Sequence, residues 1–281
     1  MVSSADTPRA RALGAELRQA RQRSGMTTRE LAESVDRSSS HVSRWENGKL
    51  TPSETDTATI LAVLGVNGAD RERMLELARD ALEPNWVAPG TDKQLAALTD
   101  YERTATTIIN VEPLMIPGLL QTYDYARHII AEFGASGRSE ADQRAQLRVG
   151  RQHVLTGSSP KQLIAIIGEA ALRYPPCPAE VMAGQLHELQ RWGARDHIDI
   201  RVLPIDRPAG PAMSGSWALI EFADTRPVVQ LEHYDTSTTI TDVRAVGRYR
   251  NAADMLCEVA MNAIESAELI AEILGGKEKS C

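Results

Sequence analysis

The stretch RSSSHVSRWENGK, residues 37–49, decides how the first third of this chain is read. Ser38 suits a helix N-cap, since a serine hydroxyl takes one of the free amides of a first helical turn. Asn47-Gly48 suits the other end, because glycine accepts the left-handed backbone on which helices close. Between them Val42 and Trp45, three apart, make an apolar stripe, and Ser39, Ser40, Ser43 and Arg44 face away from it. Serine is a poor helix former, so three on one face imply a use for short hydrogen-bonding side chains there.

The flanking sequence supplies a bundle for this helix to sit in. ARALGAELRQARQRSG sets Leu13, Leu17 and Ala20 at helical spacing and stops at Gly25. TTRELAESV opens on Thr27 with Glu30 three residues later, the pattern of a capping box. Pro52 and Ser53 precede a fourth helix, and GADRERMLELARDAL makes a fifth. A third helix with small polar residues on its first exposed turns is the physical recipe for a major-groove recognition helix, with its apolar stripe holding it to the bundle. Within it, a guanidinium at Arg44 can bond guanine O6 and N7 together, whereas serines discriminate bases weakly. DNA shape or two half-sites, and hence a homodimer, are therefore expected to add specificity.

Total charge opposes that reading until it is divided along the chain. The whole sequence has 31 Lys+Arg against 38 Asp+Glu, a formal charge of -7. Residues 1–50 hold nine basic and six acidic residues, a net of +3, which leaves -10 for the rest. The acidity lies behind the suspected DNA face, where it should repel stray DNA from the second domain.

Residues 18–52, RQARQRSGMTTRELAESVDRSSSHVSRWENGKLTP, resemble the lambda-repressor-like helix-turn-helix of the xenobiotic-response-element type. Arg21, the SGMT turn, ELA, the Ser-rich helix start, WENGK and the following proline occur in the order of that family. The resemblance implies that Ser39, Ser40 and Arg44 touch base edges, with His41 and Ser43 flanking, and that Thr28, Ser38, Asn47 and Lys49 clamp phosphates. It also implies a structural ion pair between Glu46 and Arg21. Asp36 and Arg37 depart from the glycine and apolar residue usual in this turn.

The remainder reads as a second domain. EPNWVAPGTD breaks the helical pattern with two prolines and a glycine, so residues 1–82 are expected to form the DNA-binding domain, 83–92 a linker, 93–275 a regulatory domain and 276–281 a tail. Helices are expected over 92–109, 118–133, 139–155, 178–194 and 237–274, and strands at QLIAIIGE, IDIRVLPI, SWALIEF and PVVQLEHY. The fold class is thus mainly α: a five-helix DNA-binding bundle, then a mixed α+β domain with a small sheet covered by helices. In the last helix Val246, Ala253, Ala260, Ala267 and Leu274, with Tyr249, Leu256, Ala263 and Ile270 offset between them, make a seven-residue seam. Such a seam suits either a second chain or the parent domain.

Several function classes are disfavoured. No apolar run reaches the roughly 18 residues that cross a bilayer, and the N-terminus lacks a signal-peptide core, so a cytoplasmic protein without membrane partners is expected. Cys177, Cys257 and Cys281 are too few and too far apart for a disulfide framework or a zinc module, and reduced thiols are expected, Cys281 on the tail. Neither a Walker loop nor GxGxxG, HExxH, GxSxG or CxxC occurs after residue 83, and His128, His153, His187, His197 and His233 lack ligand spacing. The protein is not expected to be an enzyme or to hold a cofactor or metal.

IPGLLQTYDYAR, RVGRQHVL, GEAALR, MAGQLHEL, RVLP, GSWALIEF and VVQLEH resemble, in that order, the C-terminal domain of uncharacterised family found behind such helix-turn-helices in many actinobacterial regulators. The resemblance covers roughly residues 95–270. It implies transcriptional control of double-stranded DNA and a small partner protein encoded nearby. An antitoxin-like or antagonist module with autoregulatory DNA binding is the alternative. Within these segments Glu102, Arg151, Glu169 and Glu232 stand in apolar settings, where charges need partners. They suit a structural polar network, a pocket for a small-molecule effector, or a docking surface. Tyr123 and Tyr125 suit core packing or a pocket lining, and Gly118 a close approach to neighbouring backbone.

Overall fold

The computed structural model describes residues 7–79, 81, 85–89, 91–133, 138–207, 210–232 and 236–278; for residues 8, 85–97, 133, 138, 139, 277 and 278 only the backbone is considered. The first elements in chain order are α1 (Pro8–Arg23), α2 (Thr28–Ser34), α3 (Ser39–Glu46), α4 (Glu54–Val63), α5 (Gly68–Arg79), β1 (Asn85–Pro89) and α6 (Thr91–Thr104). There follow β2 (Thr107–Glu112), α7 (Tyr123–Phe133), α8 (Arg138–Gly150), α9 (His153–Thr156), β3 (Gln162–Gly168), α10 (Glu169–Arg173) and α11 (Ala179–Gly193). The last are β4 (Ile198–Leu203), β5 (Trp217–Glu221), β6 (Val228–Glu232), β7 (Thr236–Ile240), α12 (Val243–Val259) and α13 (Ala263–Glu278).

These elements divide into two compact units. One holds the described residues up to Thr104 together with Asp224–Val246, and the other holds Ala105–Ala223 and the described residues from Gly247 on.

In the first unit the five expected helices all form, and their caps explain their boundaries. Thr7 takes the Ala10 amide at 3.1 Å, and Thr27 and Glu30 exchange both bonds of a capping box. Ser38 and Ser53 receive the amides of His41 and Asp56 at 3.2 and 3.0 Å. Helix α1 is the axis of the bundle, packing on α3, α5 and α6. Its Leu13 and Leu17 are buried with Leu31, Val42, Trp45 and Ile60; each such side chain contributes about 1.5–3 kcal/mol by leaving water. At Gly14 the helices touch backbone to backbone, for a methyl group there would collide with the carbonyl oxygens of Trp45 and Glu46. Gly48 closes α3 at φ 64°, and any side chain there would meet Arg11 Cγ at 2.8 Å.

Residues 83–92, expected as a linker, contribute β1, which pairs antiparallel with β7; residues 83, 84 and 90 lie outside the described residues. β7 in turn pairs antiparallel with β6, setting Gln230 opposite Thr239.

In the second unit β2, β3 and β4 run parallel and β5 lies antiparallel beside β2. The central β3 is buried along most of its length, as its run of Leu, Ile and Ala requires. Helices α11 and α13 pack on each other and on β4. The helix expected over 92–109 ends at Thr104, and the β-branched run Thr107–Ile109 begins β2 instead. Within the expected helix 118–133, a single 3₁₀ turn at Gly118–Leu120 precedes α7.

The single long helix expected over 237–274 is a strand and two helices. β7 takes residues 236–240, and the helical part breaks at residues 260–262, where Asn262 Oδ1 caps the next helix by accepting the amides of Ile264 and Glu265 at 2.9 and 3.0 Å. The seam does not survive the break. Val246, Ala253 and Leu256 are buried on α12, but α13 buries Ser266, Leu269, Ile270, Ile273 and Leu274 and leaves Ala263 and Ala267 exposed. Cys281, His233 and the end of the expected tail lie outside the described residues.

Candidate nucleic-acid interface

The turn between α2 and α3 keeps its left-handed step without glycine: Asp36 has φ 52°, a conformation that Asp tolerates better than most residues. Arg37, where an apolar residue is usual, is exposed and bonds Asp56 at 2.9 Å. The turn delivers α3 with two distinct faces. Val42, Trp45 and Glu46 are buried, and Ser39, Ser40, His41, Ser43 and Arg44 are exposed. Among the described residues the hydroxyls of Ser39 and Ser40 and the guanidinium of Arg44 make no hydrogen bond or ion pair, so their donors are available to a ligand.

The expected Arg21–Glu46 pair is present and double: Nε meets Oε1 at 2.6 Å and Nη2 meets Oε2 at 2.9 Å, while Nη1 reaches the Met26 carbonyl at 2.8 Å. The hydrogen bond to Glu46 lifts the Arg21 guanidinium above its ordinary pKa against the opposing pull of burial, so Arg21 stays charged.

The expected phosphate contacts divide. Thr28 is half-buried at the first position of α2. Ser38 is the N-cap of α3, and its Oγ also lies 3.2 Å from His41 Nδ1. Asn47 is committed within the unit: Nδ2 donates to the Ser43 carbonyl at 2.8 Å and Oδ1 accepts from Arg18 at 2.7 Å. A phosphate oxygen only accepts, so it would take the second Nδ2 hydrogen of Asn47, which otherwise makes only a long 3.4 Å contact with Ser43 Oγ. Lys49 pairs with Asp224 at 3.2 Å, both largely exposed. An exposed pair of this kind is worth about 0–1 kcal/mol, which a phosphate can replace.

Sequence reasoning missed Arg18. Its Nη2 bonds the Glu46 carbonyl as well as Asn47, and its Nη1 meets Asp100 at 3.2 Å. Nothing in the local pattern of α1 marks it, because its partners lie 28, 29 and 82 residues away.

The four charged residues expected near an effector or partner divide between the two units, Glu102 and Glu232 in the first and Arg151 and Glu169 in the second. Glu232 is exposed at the end of β6, whereas Glu102 is buried in α6. Arg151 is buried with its Nη2 against Gly118, so Gly118 accommodates a side chain where neighbouring backbone was expected. Glu169 is a fastener. Oε1 bonds Arg173 at 2.5 Å and Oε2 accepts the Ile205 amide at 3.0 Å. Burial alone would raise its pKa, but that amide and Arg173 outweigh burial and hold it below the usual carboxylate range. Tyr125 is fully buried, and its hydroxyl accepts the Ile116 amide at 3.3 Å; Tyr123 is at the surface beside Asp142.

Among the described residues no helix is long and apolar enough to cross a membrane. Comparison with curated proteins and with solved structures returned no match. Two family models do match. A helix-turn-helix domain covers residues 12–74, the stretch from α1 into α5, and supports a DNA-binding regulator. The second model, described as a domain of unknown function (DUF5753), covers residues 95–272, well over half of the chain, and the protein belongs to that family, with a helix-turn-helix in front of the shared domain.

Proposed function

We propose that this protein is a sequence-specific transcriptional regulator that reads double-stranded DNA with Ser39, Ser40 and Arg44, anchors on phosphates with Thr28 and Lys49, and uses its second domain for contacts with proteins. The observation that carries the reading is the division of α3, whose buried Val42, Trp45 and Glu46 leave Arg44 and the serines facing solvent. Weak discrimination by serine favours two half-sites, and so a homodimer.

A protein-contact role for the second domain is supported by where four of its exposed apolar side chains fall. Leu114, Tyr174 and Ile205 follow the carboxyl ends of β2, β3 and β4, and Met213 precedes the antiparallel β5. All four therefore lie toward one end of the sheet. Exposed apolar residues gathered in one region favour a partner, a second copy of the chain or a small neighbouring protein, over an isolated surface. This reading gives the second domain no reaction to catalyse.

Selection of bound duplexes from a random pool supplies a cognate site, against which two variants are expected to differ. Arg44→Ala should weaken cognate binding by about 1–3 kcal/mol, roughly 5- to 150-fold, and random duplex far less. Lys49→Ala should weaken both alike and flatten the dependence of log affinity on log salt by about one unit at most. Equal losses on both duplexes for Arg44→Ala would remove it from base reading.

A further inference from the structure

We infer that Asp100, on α6 and outside the stretch matched by the helix-turn-helix family, is a positioning residue for DNA reading: through Arg18 it fixes the carboxyl end of α3. Asp100 lies within the residues matched by the second family, yet it belongs to the same compact unit as α3. The inference rests on α3 being the reading helix.

Arg18 stands at the centre of the contact. It donates to the Glu46 carbonyl at the last position of α3, to Asn47 Oδ1 just beyond, and to Asp100 Oδ1. A cation on the last carbonyls of a helix satisfies acceptors that have no partner in the helix and complements the negative end of its dipole. A side chain as long as arginine holds such a position only when its rotamer is fixed. Asp100 fixes it, with side-chain exposures of 18% for Arg18 and 13% for Asp100, so the pair is largely shielded from water. Arg103 donates to the same Asp100 oxygen at 2.8 Å and holds the carboxylate in turn.

The neighbouring contacts tie α6 to the same helix. Tyr101 is buried beneath the guanidinium of Arg11, 5.6 Å from its ring centroid, and Arg11 is the residue against which Gly48 closes α3. The last turn of α3 is thus held by its carbonyl through Arg18 and by its side chain through Arg21. Arg44 projects from that turn. Freeing Arg18 leaves the Arg21 bond and the close contacts at Gly14 and Gly48 in place but removes the side-chain anchor on the last carbonyl of α3, and with it one constraint on the direction in which Arg44 points.

Charge alone predicts the opposite outcome, which makes the inference testable. Asp100→Asn deletes a negative charge from the DNA-binding unit, so by Coulomb attraction every duplex should bind as well or better. Positioning predicts that the selected duplex binds more weakly, about tenfold or more, a loss on the scale of one hydrogen bond to a charged group. The random duplex should stay unchanged or tighten, and Asp100→Glu should recover most of the loss.

The full chain serves for the experiment, with affinities for selected and random duplex measured at one salt concentration and Arg44→Ala alongside. If Arg44→Ala loses selected binding while Asp100→Asn shifts both duplexes by the same factor, or neither, α3 reads DNA without Asp100 and the inference is overturned. If Arg44→Ala itself shows no selective loss, the reading of α3 fails first. Should circular dichroism show that Asp100→Asn has unfolded, Arg18→Lys decides: it keeps the charge but cannot span three acceptors. An unchanged ratio of selected to random affinity in that variant also overturns the inference.

Discussion

Replacing Glu46 with alanine is expected to cost the first unit about 3 kcal/mol, at the lower end of what removal of one partner from a buried ion pair costs. The carboxylate side chain is 6% exposed and that of Arg21 is 12% exposed, and their two parallel bonds leave little room for water to replace the lost acceptor. Arg21 cannot escape by losing its proton, since a guanidinium stays protonated in proteins. The variant therefore keeps a cation whose one remaining bond is to the Met26 carbonyl. Amide hydrogen exchange of the full chain should show protection over residues 31–50 falling on the order of a hundredfold. In a double-mutant cycle, Arg21→Ala added to Glu46→Ala should cost little more. A loss below about 1 kcal/mol would mean that the pair behaves like an exposed one.

In the second unit, Gln185→Met is expected to cost about 2–6 kcal/mol despite its similar volume. Gln185 is fully buried on α11, its Oε1 accepting the Thr122 amide at 2.7 Å and its Nε2 donating to the Leu120 carbonyl at 2.8 Å. Methionine replaces neither bond, and each stranded backbone group costs about 1–3 kcal/mol. The damage should concentrate on residues 116–125. Apart from one 3₁₀ turn and the start of α7 that segment has no regular structure, and side chains bond its backbone: Gln121 Nε2 takes the Ile116 carbonyl at 2.7 Å, and Gln152 Nε2 takes that of Gln121 at 2.7 Å. Chemical denaturation with a loss under about 1 kcal/mol, or exchange that rises evenly over the unit, would show that water satisfies those groups.

The first unit was legible because its signals are local. Thr27 with Glu30, Ser38, Ser53 and Gly48 mark helix ends within a few residues of one another, and Val42 and Trp45 mark the buried side of α3 by their spacing alone. The four strands legible in the sequence, QLIAIIGE, IDIRVLPI, SWALIEF and PVVQLEHY, are short apolar runs, and each contains a strand of the structure, at 162–168, 198–203, 217–221 and 228–232. β7 was not read because its buried positions are polar: Ser237 and Thr239 face inward, and Thr239 donates to Gln230 on β6 at 2.7 Å. A buried hydroxyl whose acceptor is nine residues away resembles a helix start or a loop until the partner is known. The same limit hid Arg18, Asp100 and Gln185, whose roles are set by distant chain. Glu46 was legible only through the family resemblance, as nothing in its spacing points to Arg21.

Gly14 has a wider consequence. Where two helices are spaced by interlocking side chains, their separation drifts with every rotamer change and every substitution at the contact. Here α1 meets the end of α3 through main-chain atoms, whose dimensions are the same whatever the neighbouring residues become. The missing side chain acts as a fixed stop, like the shoulder against which a gauge is zeroed. The exposed side of α3 can then change its residues, and with them its target sequence, while the stop keeps the depth at which the helix stands out from the bundle.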